Sequence, residues 1–75
     1  MNYYDTNQRI KLGDVVIYAG EIGRIVAIIE DELYTDEYSK EHWSYLEKGF
    51  LADINKYGLL HFVEPDEDLV PLSRK

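Results

Sequence analysis

The chain has 75 residues, with fifteen Asp and Glu against eight Lys and Arg and a formal net charge of −7. A surface of that sign repels nucleic acid and anionic lipid and attracts basic protein. There is no cysteine, so disulfide staples are excluded. A single domain of this size buries only roughly 60–65% of its unfolded surface.

The longest apolar runs, residues 15–19 and 25–29, have five residues each, far short of the about twenty that a bilayer span needs. No basic region followed by an apolar run opens the chain, so no secretory leader is expected and a cytoplasmic location is. Hydrophobic residues at 45% and charged residues at 31% predict a folded chain rather than a disordered one.

Residues 1–11 are polar apart from two tyrosines, Met1 and Ile10, and read as a flexible N-terminal arm. A single domain over 12–72 and a tail at 73–75 follow. Residues 14–18, with Val15, Val16, Ile17 and Tyr18, are β-branched or aromatic and predict a strand. The two glycines in residues 19–23 predict a hairpin turn. Residues 24–29 form its return strand, with Ile25, Ala27 and Ile29 on one face and Val26 and Ile28 on the other. Apolar residues on both faces predict cover on both sides.

Residues 30–49 break the β pattern. Ser39 caps a short helix, or Thr35 an earlier start, and Glu41 suits the positive end of its dipole. Trp43, Leu46 and Phe50 make one apolar stripe, and Gly49 is placed as the left-handed C-terminal cap. Two turns of helix are unstable alone, so the Trp43 face is expected to pack on the sheet. Residues 50–54 and 59–63 predict two more strands around a turn at Asn55 to Gly58. A short last strand, 69–72, is confined to an edge by Pro71. The pattern is mostly β: a small SH3-like barrel of about five strands with one short helical insertion.

Lys11-Leu12-Gly13-Asp14-Val15-Val16, followed by Gly20-Glu21-Ile22-Gly23-Arg24-Ile25-Val26, resembles the opening hairpin of SH3-like barrels, in particular the KOW type. A wider pattern is similar to a group of small acidic bacterial proteins. It comprises Tyr38, Trp43, Tyr45-Leu46, Gly49, Gly58-Leu59, His61-Phe62 and Glu64-Pro65-Asp66-Glu67-Asp68-Leu69. Such proteins often resemble the immunity partners of secreted bacterial toxins. That resemblance implies an inhibitor that occludes the active cleft of a basic toxin.

The residues offer little chemistry. His61 beside Glu64 could act as a general base, but no nucleophile or oxyanion loop accompanies it. Its ring is expected to satisfy a loop carbonyl or Glu64, and His42 to face solvent. Without cysteine, and with the histidines nineteen residues apart, no structural zinc site is expected. The run Glu64 to Asp68 lacks the ligand alternation of a calcium loop. No cofactor is expected. The KOW analogy would imply nucleic acid, against which the charge argues. Tyr18, Tyr34, Tyr38 and Tyr57 with Glu37 could form a cage for a methylated lysine, but tyrosines covering a small core explain them as well.

Five carboxylates in residues 30–37, with no basic residue among them, are self-repelling. Set among aromatic rings, they suit recognition of a basic protein. The expected contacts are Asp31, Glu32, Tyr34, Asp36, Glu37 and Tyr38, with Asp66, Glu67 and Asp68 as a second patch. The alternative is an accessory or adaptor domain in a larger bacterial assembly.

Overall fold

The computed structural model describes residues 1–72, so the predicted tail at 73–75 lies outside them. Six antiparallel strands form one sheet: β1 (Val15–Tyr18), β2 (Glu21–Ile28), β3 (Leu33–Tyr34), β4 (Phe50–Ile54), β5 (Gly58–Phe62) and β6 (Leu69–Pro71). One short helix, α1 (Lys40–Trp43), runs into a 3-10 turn at Ser44–Leu46. The strand order is β5-β4-β2-β1-β6, with β3 paired to the far end of β2. The architecture is mostly β, as expected. The sheet is not closed, because β5 and β6 end the path and do not pair with each other.

The first hairpin turns at Ala19 and Gly20, whose φ values of 49° and 85° are both left-handed. That two-residue turn matches the right-handed twist of the strands it joins. Gly23, expected in this turn, instead lies inside β2 opposite Ile54. A Cβ there would stand 2.8 Å from the Asp53 carbonyl oxygen, so the residue permits close packing of β2 on β4 rather than a bend.

The two-sided character of β2 comes from a bulge. Ile25 opposes Ala52 and Ala27 opposes Leu51, leaving Val26 as the extra residue. An inserted residue shifts the alternation by one. Ile25 and Ile28 therefore share the inner core, while Val26, Ala27 and Ile29 share the outer one. The alternation expected over 25–29 holds only before and after the bulge.

The inner core gathers Val16, Ile25, Ile28, Phe50, Ala52, Ile54, Phe62 and Leu69. They come from β1, β2, β4, β5 and β6, so the sheet curls around them. Tyr18 of β1 meets Phe62 of β5 edge to face at 5.4 Å, and Phe62 stacks on Phe50 at 5.1 Å. The outer core is smaller. Val26, Ala27, Ile29 and Leu51 lie beneath Tyr34, Tyr38, Trp43 and Leu46 of the insertion. Trp43 and Leu46 pack on the sheet as expected, but Phe50 leaves their stripe to begin β4 and enter the inner core. Ser39 takes the position before the helix as expected, but its side chain makes no capping hydrogen bond. The helix ends before Gly49, and the 3-10 turn that follows it closes at Glu47, with φ 65° and ψ −32°.

The N-terminal segment corrects the expectation of a flexible arm. Tyr3 and Ile10 are each 2% exposed and belong to the inner core, with Met1 and Leu12 packed against it. The Tyr3 N–H donates to the Gln8 carbonyl at 3.0 Å, and the Ile10 N–H to that of Met1 at 2.9 Å. The Tyr3 hydroxyl donates to Asp14 Oδ2 at 2.7 Å. Polar composition concealed this, because two buried side chains are enough to tie a short loop down.

Gly49 has φ +87°, and a Cβ on it would meet the Phe62 carbonyl oxygen, whereas Gly20 at φ +85° has nothing within 4 Å. Gly49→Ala is expected to lose roughly 2–4 kcal/mol in urea denaturation and Gly20→Ala about 1–2 kcal/mol. Equal losses would rule out the close approach at Phe62. Tyr3→Ala is expected to cost about 3–5 kcal/mol, as for other buried aromatic rings. A change below about 0.5 kcal/mol, the value for an unremarkable surface site, would restore the flexible arm.

Candidate protein-binding face

Strand alternation sends Val15 and Ile17 of β1, Ile22 and Arg24 of β2, Asp53 of β4, and Val70 of β6 to the outer face. The insertion covers only the part of this face above Val26, Ala27 and Leu51. The remainder is open: Ile22 is 51% exposed and Val70 47%. Ile22 opposes Ile17, which opposes Val70, so an apolar row crosses three strands.

Where the insertion meets this open half, a cleft of about 300 Å³ is lined by Ile22, Arg24, Val26, Glu37, Tyr38 and Asp53, among others. Arg24 and Asp53 oppose each other across β2 and β4. Glu37 and Asp53 put negative charge on the rim. Burial pushes the Tyr38 phenol above its usual 10.0, and the charges of Asp53 and then Glu37 push it the same way. Tyr38 is followed by Trp43 at 6.2 Å, and Trp43 by Tyr45 at 6.4 Å with rings 24° from parallel. Tyr45, 70% exposed, ends this row of rings at the surface.

The expected contact residues divide by what they already touch. Asp31 lies 3.6 Å from Arg9. Glu32 meets Lys40 at 2.6 Å, and this partner lowers the Glu32 pKa while raising that of Lys40. Glu30 Oε1 accepts the Gly49 N–H at 3.2 Å. Three of the five acids in residues 30–37 therefore have partners within the molecule. Tyr34 pairs with Ala27 and packs on the outer core. Glu37 and Tyr38 reach the cleft, and Asp36 stays exposed outside its lining.

Asp66 closes a local turn: its Oδ1 accepts the Asp68 N–H at 2.8 Å and its carbonyl the Leu69 N–H at 3.0 Å. Glu67 and Asp68 are exposed. Leu69 opposes Tyr18, which in turn opposes Glu21 at the start of β2, whereas β3 pairs with Ala27 and Ile28 at its end. Six residues of β2, about 20 Å of extended strand, separate the positions at which these two segments join the sheet. Sequence reading missed Val15, Ile17, Ile22, Arg24, Asp53 and Val70. The available signal was the alternation in β1 and β4, which puts these residues opposite Val16 and Ala52.

The His61 ring donates from Nε2 to the Lys48 carbonyl at 2.9 Å, the loop-carbonyl role expected for it. Ser39 Oγ lies 3.0 Å from Nδ1 of the exposed His42. Among the described residues no three His, Asp or Glu side chains gather as a metal ion would require. No described helix is long and apolar enough to cross a membrane. No protein-family model, curated protein or solved structure matches the chain.

In the folded state Tyr38 holds its proton past pH 10. The resulting stabilisation is full below pH 10 and is lost as pH rises through the elevated value. An NMR titration of labelled tyrosines should show Tyr38 ionising above 10, and the Asp53→Asn, Glu37→Gln double variant should bring it part of the way back. Ionisation of Tyr38 at or below 10 in the native protein would remove the buried, acid-flanked placement of this ring.

Proposed function

We propose that this chain is a non-enzymatic, acidic module that binds a basic protein partner through the open half of its outer face. The observation that carries this reading is the Ile22–Ile17–Val70 row beside a cleft rimmed by Glu37 and Asp53. Contiguous exposed apolar surface with a polar rim is the usual anatomy of a docking site. The net charge of −7 steers a cationic partner toward it and disfavours nucleic acid.

The form we give this role is toxin immunity, with the acidic rim occupying a cleft that otherwise receives phosphates. The sequence resemblance to immunity partners supports it. We read the architecture as SH3-like, for which the order β5-β4-β2-β1-β6 and its curl around one inner core speak.

Expressing the reading frame adjacent to this gene should arrest growth, and co-expression of the native chain should relieve the arrest. Ile22→Asp and Glu37→Lys should each weaken the complex about tenfold or more, the latter mainly by slowing association, with thermal melting unchanged. A harmless neighbour argues against immunity. A complex indifferent to both substitutions argues against this face.

A further inference from the structure

The two ends of the sheet are finished differently. At β6 the Leu72 N–H donates to the Val15 carbonyl at 2.9 Å, so Val70 and Leu72 turn their backbone groups toward β1. Leu69 and Pro71 turn theirs to the free edge. The Leu69 N–H is taken by the Asp66 carbonyl, and Pro71 has none. No donor remains on that edge of β6, a recognised way of preventing strand addition.

At β5 the opposite holds. The Asn55 N–H donates to the Ile22 carbonyl at 2.9 Å, so Asn55 and Asp53 face β2. Ile54, Ala52 and Phe50 then face β5, opposite Gly58, Leu60 and Phe62. Leu59 and His61 therefore direct N–H and C=O outward. No other strand pairs with β5, and neither outward N–H donates to a described residue. The register with β4 is unbroken, and β5 contains no proline, lysine or bulge. Exposed Tyr57 and Val63 flank its two ends.

We propose that the β5 edge is a strand-addition site for an extended basic segment of a partner protein. The two donors and two acceptors alternate along the strand as an added strand requires, and this mode takes its affinity from the main chain. A basic occupant follows from the net charge of −7, with Glu64 exposed just after the strand. A second copy of the chain would bring its own −7 to the same edge. The site is separate from the outer face, and either can fail without the other.

The probe is an acetylated, amidated Lys-Val-Lys-Val-Lys-Val peptide, compared with the same peptide N-methylated at alternate residues to remove the donors and acceptor access on one side. Amide hydrogen exchange by NMR should slow at Leu59 and His61 by about tenfold or more on saturation, as expected for amides newly bonded in a ladder. The methylated peptide should give no such protection. Leu59→Pro, which places the device of Pro71 on β5, should weaken binding about tenfold, equivalent to about 1.4 kcal/mol. Should that variant fail to fold, the exchange measurement on the native chain still decides. Equal binding of the methylated peptide, or protection only away from β5, overturns the proposal. So does protection of Leu59 and His61 without peptide, accompanied by a concentration-dependent doubling of mass, which would make the occupant a second copy.

Discussion

Everything in this fold depends on the second half of β2, from Ile25 to Ile28, being buried on both of its faces. It is the longest strand, it pairs with β1, β4 and β3, and its bulge at Val26 lets it serve two cores at once. Ahead of the bulge Ile25 points into the curl of the sheet. Just after it Ala27 points outward, and Ile28 returns to the interior. Without the extra residue, the outward pair Val26 and Ala27 would be split between the faces. The insertion would then lose the platform on which Tyr38, Trp43 and Leu46 rest. A four-residue helix has almost no stability of its own, so its position is a consequence of that platform.

The same constraint decides where the molecule is open. The insertion is anchored at the bulge and extends over only one half of the outer face, and the half above β1 and β6 keeps its apolar residues in contact with solvent. Charge is then distributed by structural need as much as by recognition. Glu30 holds the Gly49 amide, Asp31 and Glu32 stand beside Arg9 and Lys40, and Asp66 shapes the turn into β6. The acids left to act on a partner at the cleft are those the backbone does not use, chiefly Glu37 and Asp53.

How much of this the sequence disclosed follows from the range of each determinant. Residues 50–54 were legible to the residue, because Phe50, Ala52 and Ile54 alternate with Leu51 and Asp53 and glycines stand on either side. Pro71 announced an edge. The bulge was not legible, since five successive apolar residues fit either phase, and only pairing with β4 chooses between them. β3 is two residues long and sits among acids, below the length at which alternation can be read. Gly23 was misassigned because a glycine needed for close approach looks the same in sequence as one needed for a turn. The cleft was invisible for a related reason: it joins Arg24, Tyr38 and Asp53, which only the sheet register brings together.

The partnership of β1 with β6 spans more than fifty residues of chain, whereas β1 with β2 and β4 with β5 are neighbours in sequence. Contacts of such long range form slowly relative to local hairpins. During synthesis the two hairpins can take shape early, but Val16, Ile17 and Tyr18 must wait along one side until Leu69 to Pro71 have emerged from the ribosome. For that interval the nascent domain carries an unguarded β1 border, which stays open until β6 arrives to seal it.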